Sequence, residues 1–362
     1  MLVGVAEDAP KQYDLLSAVA ETDLARLAGF RAIRITAHWT PGLAEPTERE
    51  LAALRNAVDA AALRGLRVFL SVYNPGSRTT PRTAEQRSQF SSFAASLVRR
   101  LPDVSHVLVG NEPNLNGFWM PQFNRDGSNA AAPAYTALLA ETYDTVKAVR
   151  PDIRVIGGTI SARGGDNPRA PRHTQSPTGF IPAMGVAYRA SKRKTPIMDA
   201  FALHPYLTSS RRPPTVTHPR TTTVSIGDYP KLVRLLGRAF DGTAQRGSKL
   251  PIYYAEFGIQ SRIPRRKRRL YVNARARVAR DAVSERTQAA YYRRALAAAR
   301  CQPTVAGFLI FHVSDERDLK RWQSGLYYAD DTPKSSLRAV RNGIASLHAG
   351  KLGRCRTGAP RR

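Results

Sequence analysis

Cysteine is nearly absent from this chain. Its 362 residues include two, Cys301 and Cys355, and neither sits in a CxxC or a histidine-rich cluster, so a zinc site is not expected. The seven histidines are scattered, with no HExxH or other paired spacing, and no metal or cofactor is called for. No apolar run reaches the roughly 18 residues that argue for a membrane-crossing helix. At the amino terminus MLVGVAEDAP shows no basic segment followed by an apolar run, so no signal peptide is visible. Acidic residues are also few. There are 28 Asp and Glu against 56 Lys and Arg, a formal net charge of +28.

That excess has two readings. One is attraction to polyanions such as nucleic acid, acidic polysaccharide or an anionic cell envelope. The other is a coding bias, because Arg greatly outnumbers Lys and Ala is abundant. One local run stands out, SRIPRRKRRLYVNARARVAR at 261–280. It holds a single aromatic, Tyr271, and no nucleic-acid-binding module is recognisable around it, so nucleic acid is not the expected partner. A Cys301 to Cys355 bridge would tie a basic tail, 348–362, to the body and constrain the unfolded chain by roughly 4 kcal/mol. Such a bridge suits an exported or envelope-associated protein. Two separate buried thiols and a cytoplasmic location are the alternative.

With 42% hydrophobic content the chain can bury a large core. Short apolar runs alternate eight times with longer amphipathic segments. Strands are expected at 2–6, 32–36, 68–72, 104–109, 154–159, 198–203, 252–255 and 305–311. Helices are expected at 15–28, 48–64, 84–100, 134–149, 181–190, 228–240, 284–300 and 334–347. Thr47 and Thr83 stand where N-caps belong, and Gly29 and Gly65 where helices should stop. Strict alternation with near-continuous apolar strands predicts a parallel sheet, and eight units close into a (β/α)8 barrel, a single domain over 1–347. Typical barrels need about 250 residues. The surplus falls in long segments after strands, at 161–180, 206–226, 258–283 and 312–333. An open doubly wound sheet is the rival, but Glu7-Asp8-Ala9-Pro10 occupies the place of its glycine-rich fingerprint.

Strands in such a barrel deliver their last residues to one rim. Strand two ends at Arg34, His38 and Trp39, and strand three at Tyr73-Asn74. Strand four ends at Asn111-Glu112, strand six at His204 and Tyr206, strand seven at Glu256, and strand eight at His312 and Asp315. Strands four and seven lie opposite each other, so Glu112 and Glu256 should meet over the mouth. A pair of carboxyl groups in that relation suits glycoside hydrolysis, in which one protonates the leaving oxygen while the other attacks the anomeric carbon. Arg34 and Tyr206 fall within reach of Glu256 and favour its ionised form. Glu112, with only Asn111 and apolar neighbours, is expected to keep a proton. A non-catalytic barrel that binds glycan or anionic polymer through the same residues is the alternative.

The segments FRAIRITAHW, VGNEPN, HPY and YAEFG, in that order and at those strand positions, resemble the retaining (β/α)8 glycoside hydrolases of clan A, most of all the cellulase family 5 and the xylosidase family 39. The likeness spans about residues 2–347. It implies Glu112 as acid/base, Glu256 as nucleophile, Asn111 as donor to the sugar 2-hydroxyl, Arg34 and Tyr206 as partners of the nucleophile, and His204 as a further polar wall. The substrate would be an oligo- or polysaccharide, with acidic glycans favoured by the charge, and the protein is expected to act as a monomer. The chain departs from the pattern in two places. Phe311-His312 stands where clan members commonly carry a Trp at the end of strand eight. Tyr73-Asn74 replaces the histidine often seen near strand three in family 5, with His38 as its substitute. Trp39, Trp119 and Trp322 all follow strands and are candidate stacking platforms, of which one or two should face the cleft.

Overall fold

The computed structural model describes residues 1–276, 279–352 and 355. Eight strands, β1 (Leu2–Ala6), β2 (Ala32–His38), β3 (Arg67–Tyr73), β4 (Val104–Val109), β5 (Arg154–Ser161), β6 (Ala200–His204), β7 (Ile252–Phe257) and β8 (Val305–Phe311), pair in parallel in chain order. The ring closes where β8 pairs with β1, Leu2 opposite Gly307 through Ala6 opposite Phe311. After the strands come α1 (Leu15–Leu27), α2 (Glu48–Leu63), α3 (Ala84–Arg100), α4 (Ala131–Val149), α5 (Pro177–Ala190), α6 (Tyr229–Phe240), α7 (Glu285–Arg300) and α8 (Ser336–His348). The predicted (β/α)8 barrel is therefore the fold.

Local chemistry sets the helix ends. Thr47 and Thr83 cap α2 and α3 by accepting from the backbone N–H three residues on, and Asp14, Ser176 and Ser284 do the same for α1, α5 and α7. Gly29 and Gly65, at φ of +91° and +65°, follow α1 and α2 in the left-handed conformation that ends a helix cheaply only at glycine. Helix α5 starts four residues before the expected Ile181. Pro177, whose missing N–H costs nothing in the first turn, opens the helix directly behind its Ser176 cap.

Two apolar layers hold the barrel. Within the bore, Phe69, Leu108, Ile156 and Tyr253 pack together with the small residues Ala32, Ala200, Ala202 and Ala255. Gly307 makes that possible, since a Cβ there would stand 2.5 Å from the Tyr253 ring. A larger shell between strands and helices buries residues such as Ile33, Ile35, Phe90, Leu139, Tyr254, Phe257 and Phe308. Each fully buried aliphatic or aromatic side chain contributes about 1.5–3 kcal/mol, so this shell supplies most of the driving force. A disulfide joins Cys301, which caps α7, to Cys355, with Cα atoms 5.3 Å apart. The rest of the tail beyond Leu352 lies outside the described residues. Among the described residues no helix is long and apolar enough to cross a membrane.

Candidate active site

The end of β4 is built around one strained residue. Glu112 adopts φ +43°, and Gly110, two residues before it, φ +80°, so the chain turns sharply as it leaves the sheet. Gly110 is required twice over. Its conformation is left-handed, and a Cβ would meet the Tyr135 ring at 2.9 Å, where the Tyr135 hydroxyl donates to the Val109 carbonyl at 2.8 Å. The opposite wall comes from β5. Its pairing with β6 shifts between Gly157 and Ile160, and the resulting kink presents the Thr159 carbonyl to the Glu112 N–H at 2.8 Å. Asn114, fully buried, then clamps the loop. Its side chain donates to the carbonyls of Gln175 (2.8 Å) and Ser161 (3.3 Å) and accepts from the Ser161 N–H at 2.9 Å. A strained backbone held by β5 and the following loop fixes the direction in which the Glu112 side chain leaves the chain.

Glu256 reaches the mouth through a fault in β7. Tyr253 and Ala255 face the bore, while Tyr254 and Phe257 face the helices. Strict alternation would send Glu256 outward with Tyr254. A register shift against β8 between Tyr254 and Phe257 reverses the phase, and Glu256 lines the cleft. There Arg34 Nη2 donates to its Oε1 and the Tyr206 hydroxyl to its Oε2 at 3.1 Å. Burial by itself would raise the Glu256 carboxyl. The electrostatic interactions with His204 and Arg34 and the hydrogen bonds from Arg34 and Tyr206 outweigh it, and the group is held below the usual carboxylate value. The Tyr206 hydroxyl moves the other way, well above the ordinary phenol, because it is buried beside two carboxylates.

His204, fully buried at the end of β6, ties the two acids together. Its Nδ1 lies 3.3 Å from Glu112 Oε1 and 3.7 Å from Glu256 Oε2, and two atoms that share a neighbour can be no farther apart than those lengths end to end, about 7 Å. Both carboxylates open into one cleft of about 650 Å³. One wall is aromatic. Tyr206 packs on Trp322 with ring centroids 5.0 Å apart and on Phe311 at 6.0 Å. Two polar side chains that line this space have buried atoms with no hydrogen-bond partner among the described residues, Asn111 Oδ1 and the Nε and Nη1 of Arg34. Among the described residues no three His, Cys, Asp or Glu side chains converge as metal ligands would.

The structure thus brings together Glu112, Glu256, Asn111, Arg34, His204, Tyr206 and Trp322. It corrects three expectations. Trp39 is fully buried against Phe90 with its Nε1 on the Leu43 carbonyl. It shares the outward phase of Ile33 and Ile35 on β2. Trp119 is buried edge-on to Tyr135, and so packs its loop onto α4 and offers no platform. His38 is exposed, sits edge-on to Tyr73 and does not line the cleft. The surroundings of Glu112 also differ from expectation, since His204 stands beside it as well as Asn111 and apolar groups.

Sequence reasoning missed Asn114, hidden in the same NEPN motif, and the two carboxylates that join the strand-end His312 in a charged trio on the cleft wall. His312, at φ +72°, lies between Glu7 (3.7 Å) and Glu316 (3.4 Å). Burial disfavours its charged form, but the two carboxylates prevail and push the imidazole up to about 10. Glu7 also accepts from the N–H groups of Asp8 and Val313, both at 2.9 Å, and so pins the β1 and β8 loops together. The strand-end position of Glu7 was the only available signal.

This fold is that of the clan A (β/α)8 glycoside hydrolases. A family 39 glycoside hydrolase from Bacteroides cellulosilyticus WH2 superposes with a TM-score of 0.66 at 21% identity, covering 95% of this chain and 63% of that one, so the chain spans less than two thirds of its length. A GH5_18 structure from Streptomyces cattleya in complex with GlcNAc gives 0.64 at 17% identity, with 99% and 82% covered. A GH5-4 broad specificity endoglucanase from Clostridium longisporum gives 0.60 at 14% identity, with 96% and 97% covered. No family model and no curated protein matches the chain. At these identities the likeness is one of fold.

Proposed function

We propose that the protein is a retaining β-glycoside hydrolase. In the first step Glu256, ionised under the influence of Arg34 and His204, attacks the anomeric carbon. Glu112 gives a proton to the departing glycosidic oxygen, and a covalent glycosyl ester forms on Glu256. In the second step Glu112 takes a proton from water, and that water releases the sugar with its original configuration. Asn111 serves as donor to the 2-hydroxyl, Arg34 holds the nucleophile, and Trp322 with Tyr206 forms the ring-stacking wall.

The observation that carries this reading is the single imidazole nitrogen within 4 Å of both carboxylates. It bounds the separation at about 7 Å, which includes the roughly 5–5.5 Å of retaining enzymes. The asymmetry of the pair supports the roles. Among the described residues, Glu256 receives a guanidinium and a phenol, whereas Glu112 has His204. Among the similar structures are a GlcNAc complex and an endoglucanase, which favours a sugar substrate.

The test is Glu256→Ala assayed with an activated aryl β-glycoside. Turnover should vanish, and azide should restore it with a glycosyl azide of inverted configuration. Residual hydrolysis at the wild-type rate would move the nucleophile elsewhere. Saturable glycan binding by the wild type with no products would favour a binding protein.

A further inference from the structure

One part of the surface carries cations without counter-charges. Several half-buried arginines elsewhere have acidic partners, such as Arg64 with Asp23, Arg100 with Glu48 and Arg193 with Asp144. The segment after β7 groups exposed cations without them. The chain has no carboxylate from Gly258 until Asp281, and Arg262, Arg265, Arg266, Arg269, Arg275 and Arg280 are exposed. Among the described residues none of the six has a carboxylate within ion-pair distance. Arg277 and Val278 of the same run lie outside the described residues.

This loop is braced into one shape. The Tyr271 hydroxyl donates to Asp315 at 2.8 Å, and Asp315 also receives the Lys334 ammonium at 2.6 Å, all three being buried. Lys334 in turn donates to Ser261 Oγ at 2.8 Å and to the Gln323 carbonyl at 3.4 Å. The Arg268 guanidinium sits on the Ala274 carbonyl at 3.1 Å, and Asn273 donates to Asp318 at 2.9 Å. Its arginines are therefore displayed on a fixed frame, which lowers the entropy lost when a ligand binds.

The display joins the cleft. Arg275 and Lys320 line one open depression of about 610 Å³. Arg211, Arg262, Arg268 and Arg280 line a second, of about 660 Å³. Lys320 is followed directly by Arg321 and Trp322, which line the catalytic cleft. Inside the cleft several charges satisfy one another, Arg34 with Glu256, His312 with Glu7 and Glu316, and Arg321 with Glu316. Among the described residues the cations that line the two depressions have no such partner.

We propose that these cations form a track for an anionic polysaccharide. A carboxylated or sulfated glycan would place one linkage between Glu112 and Glu256 and run its outer residues over Lys320 and Arg275 toward the arginine-lined groove. What the cleft does to that linkage rests on the glycosidase reading, whereas the track is a claim about binding. A polysaccharide fits better than a nucleic acid because the track leads into a cleft floored by carboxylates and walled by aromatic rings.

The test measures equilibrium binding in the Glu256→Ala background, so that no cleavage intervenes. The probes are polygalacturonate, its fully methyl-esterified neutral counterpart, heparin and a duplex DNA, each at low and high sodium chloride. At least one of polygalacturonate and heparin should bind at least tenfold more tightly than the neutral polymer and lose affinity steeply with salt. Replacing Arg262, Arg275, Arg280 and Lys320 together by Gln should weaken that binding about 20-fold, from four exposed contacts of modest strength each. The melting temperature should stay in place, since all four side chains are exposed. Equal affinity for charged and neutral polymer, unchanged binding in the fourfold variant, or tighter binding to DNA would overturn the track. Wild-type turnover of an aryl glycoside is read separately. Its absence would defeat the glycosidase reading and leave the track standing, while turnover without anion binding would do the reverse.

Discussion

Removing the cation beside the nucleophile gives the sharpest test of the electrostatics. Arg34 is 5% exposed and its Nη2 is bonded to Glu256. In Arg34→Met the stem's packing is kept and the charge is lost. Breaking a buried ion pair costs about 3–5 kcal/mol. Because Tyr206 and His204 stay with Glu256, the lower end applies, about 3 kcal/mol. At 1.36 kcal/mol for each pH unit, that raises the Glu256 carboxyl by about two pH units. The acid limb of kcat/KM, which reports the free enzyme, should move up by that amount from its position below the ordinary carboxylate value. Stability gives an independent reading. In the wild type the folded carboxyl is depressed, so its contribution is present above the unfolded value, 4.5, and is lost as pH falls through the folded value. In the variant the folded carboxyl lies higher, so less of that contribution is present at neutral pH and its loss on acidification begins at a higher pH. The gap in melting temperature between wild type and variant should therefore be wide at pH 7 and narrow near pH 4. A gap of the same width at both pH values, or an acid limb that stays where it was, would refute the reasoning.

Glu112→Gln should retain much of its kcat/KM on glycosides with strongly acidic phenol leaving groups, with kcat limited by the second step, and lose about 10²–10⁴-fold in kcat/KM on alkyl glycosides, which need a proton on departure; equal kcat/KM losses on both would contradict the assignment. Trp322→Ala should raise KM by about tenfold, the equivalent of 1.4 kcal/mol, with kcat little changed. Trp39→Ala, which creates a core cavity, should leave KM alone and cost about 3–5 kcal/mol of stability by denaturant titration. Lys334→Met leaves Asp315 buried without its cation, and a cost of about 4 kcal/mol lowers the melting temperature by about 5 °C at the unfolding entropy of a chain this long. Adding Asp315→Asn should recover part of that loss, and no recovery would mean that the ammonium's other contacts matter more.

Much of this was legible in the sequence because barrels obey two simple rules. Parallel strands buried on both faces read as continuous apolar runs, and the residue that follows each run is delivered to one rim. Arg34, Glu112, His204 and Glu256 could be named on that basis. What stayed hidden depended on backbone irregularity or side-chain reach. Period-two alternation sends Glu256 to the helix side, and only the register shift in β7 reverses it. The same alternation, applied to β2, would have placed Trp39 with Ile33 and Ile35 in the helix-facing shell. Asn114 looks like any loop asparagine until the kinked end of β5 supplies the Ser161 N–H and carbonyl that it binds. His204 could be placed on the rim, but its position between both carboxylates is a matter of tenths of an ångström that no spacing encodes.

The fault in β7 also bears on how the ring can close. A parallel strand that slips by one residue exchanges its two faces, and here a slip would bring Phe257 to the mouth and carry Glu256 toward the helices. Arg34, anchored across the barrel on β2, would then be shut away beside a phenyl ring, a cation with no counter-ion, at a cost of several kcal/mol. The same guanidinium that readies the carboxylate for chemistry thus acts as a proofreader of assembly, since only one alignment of the seventh strand lets it discharge its burden.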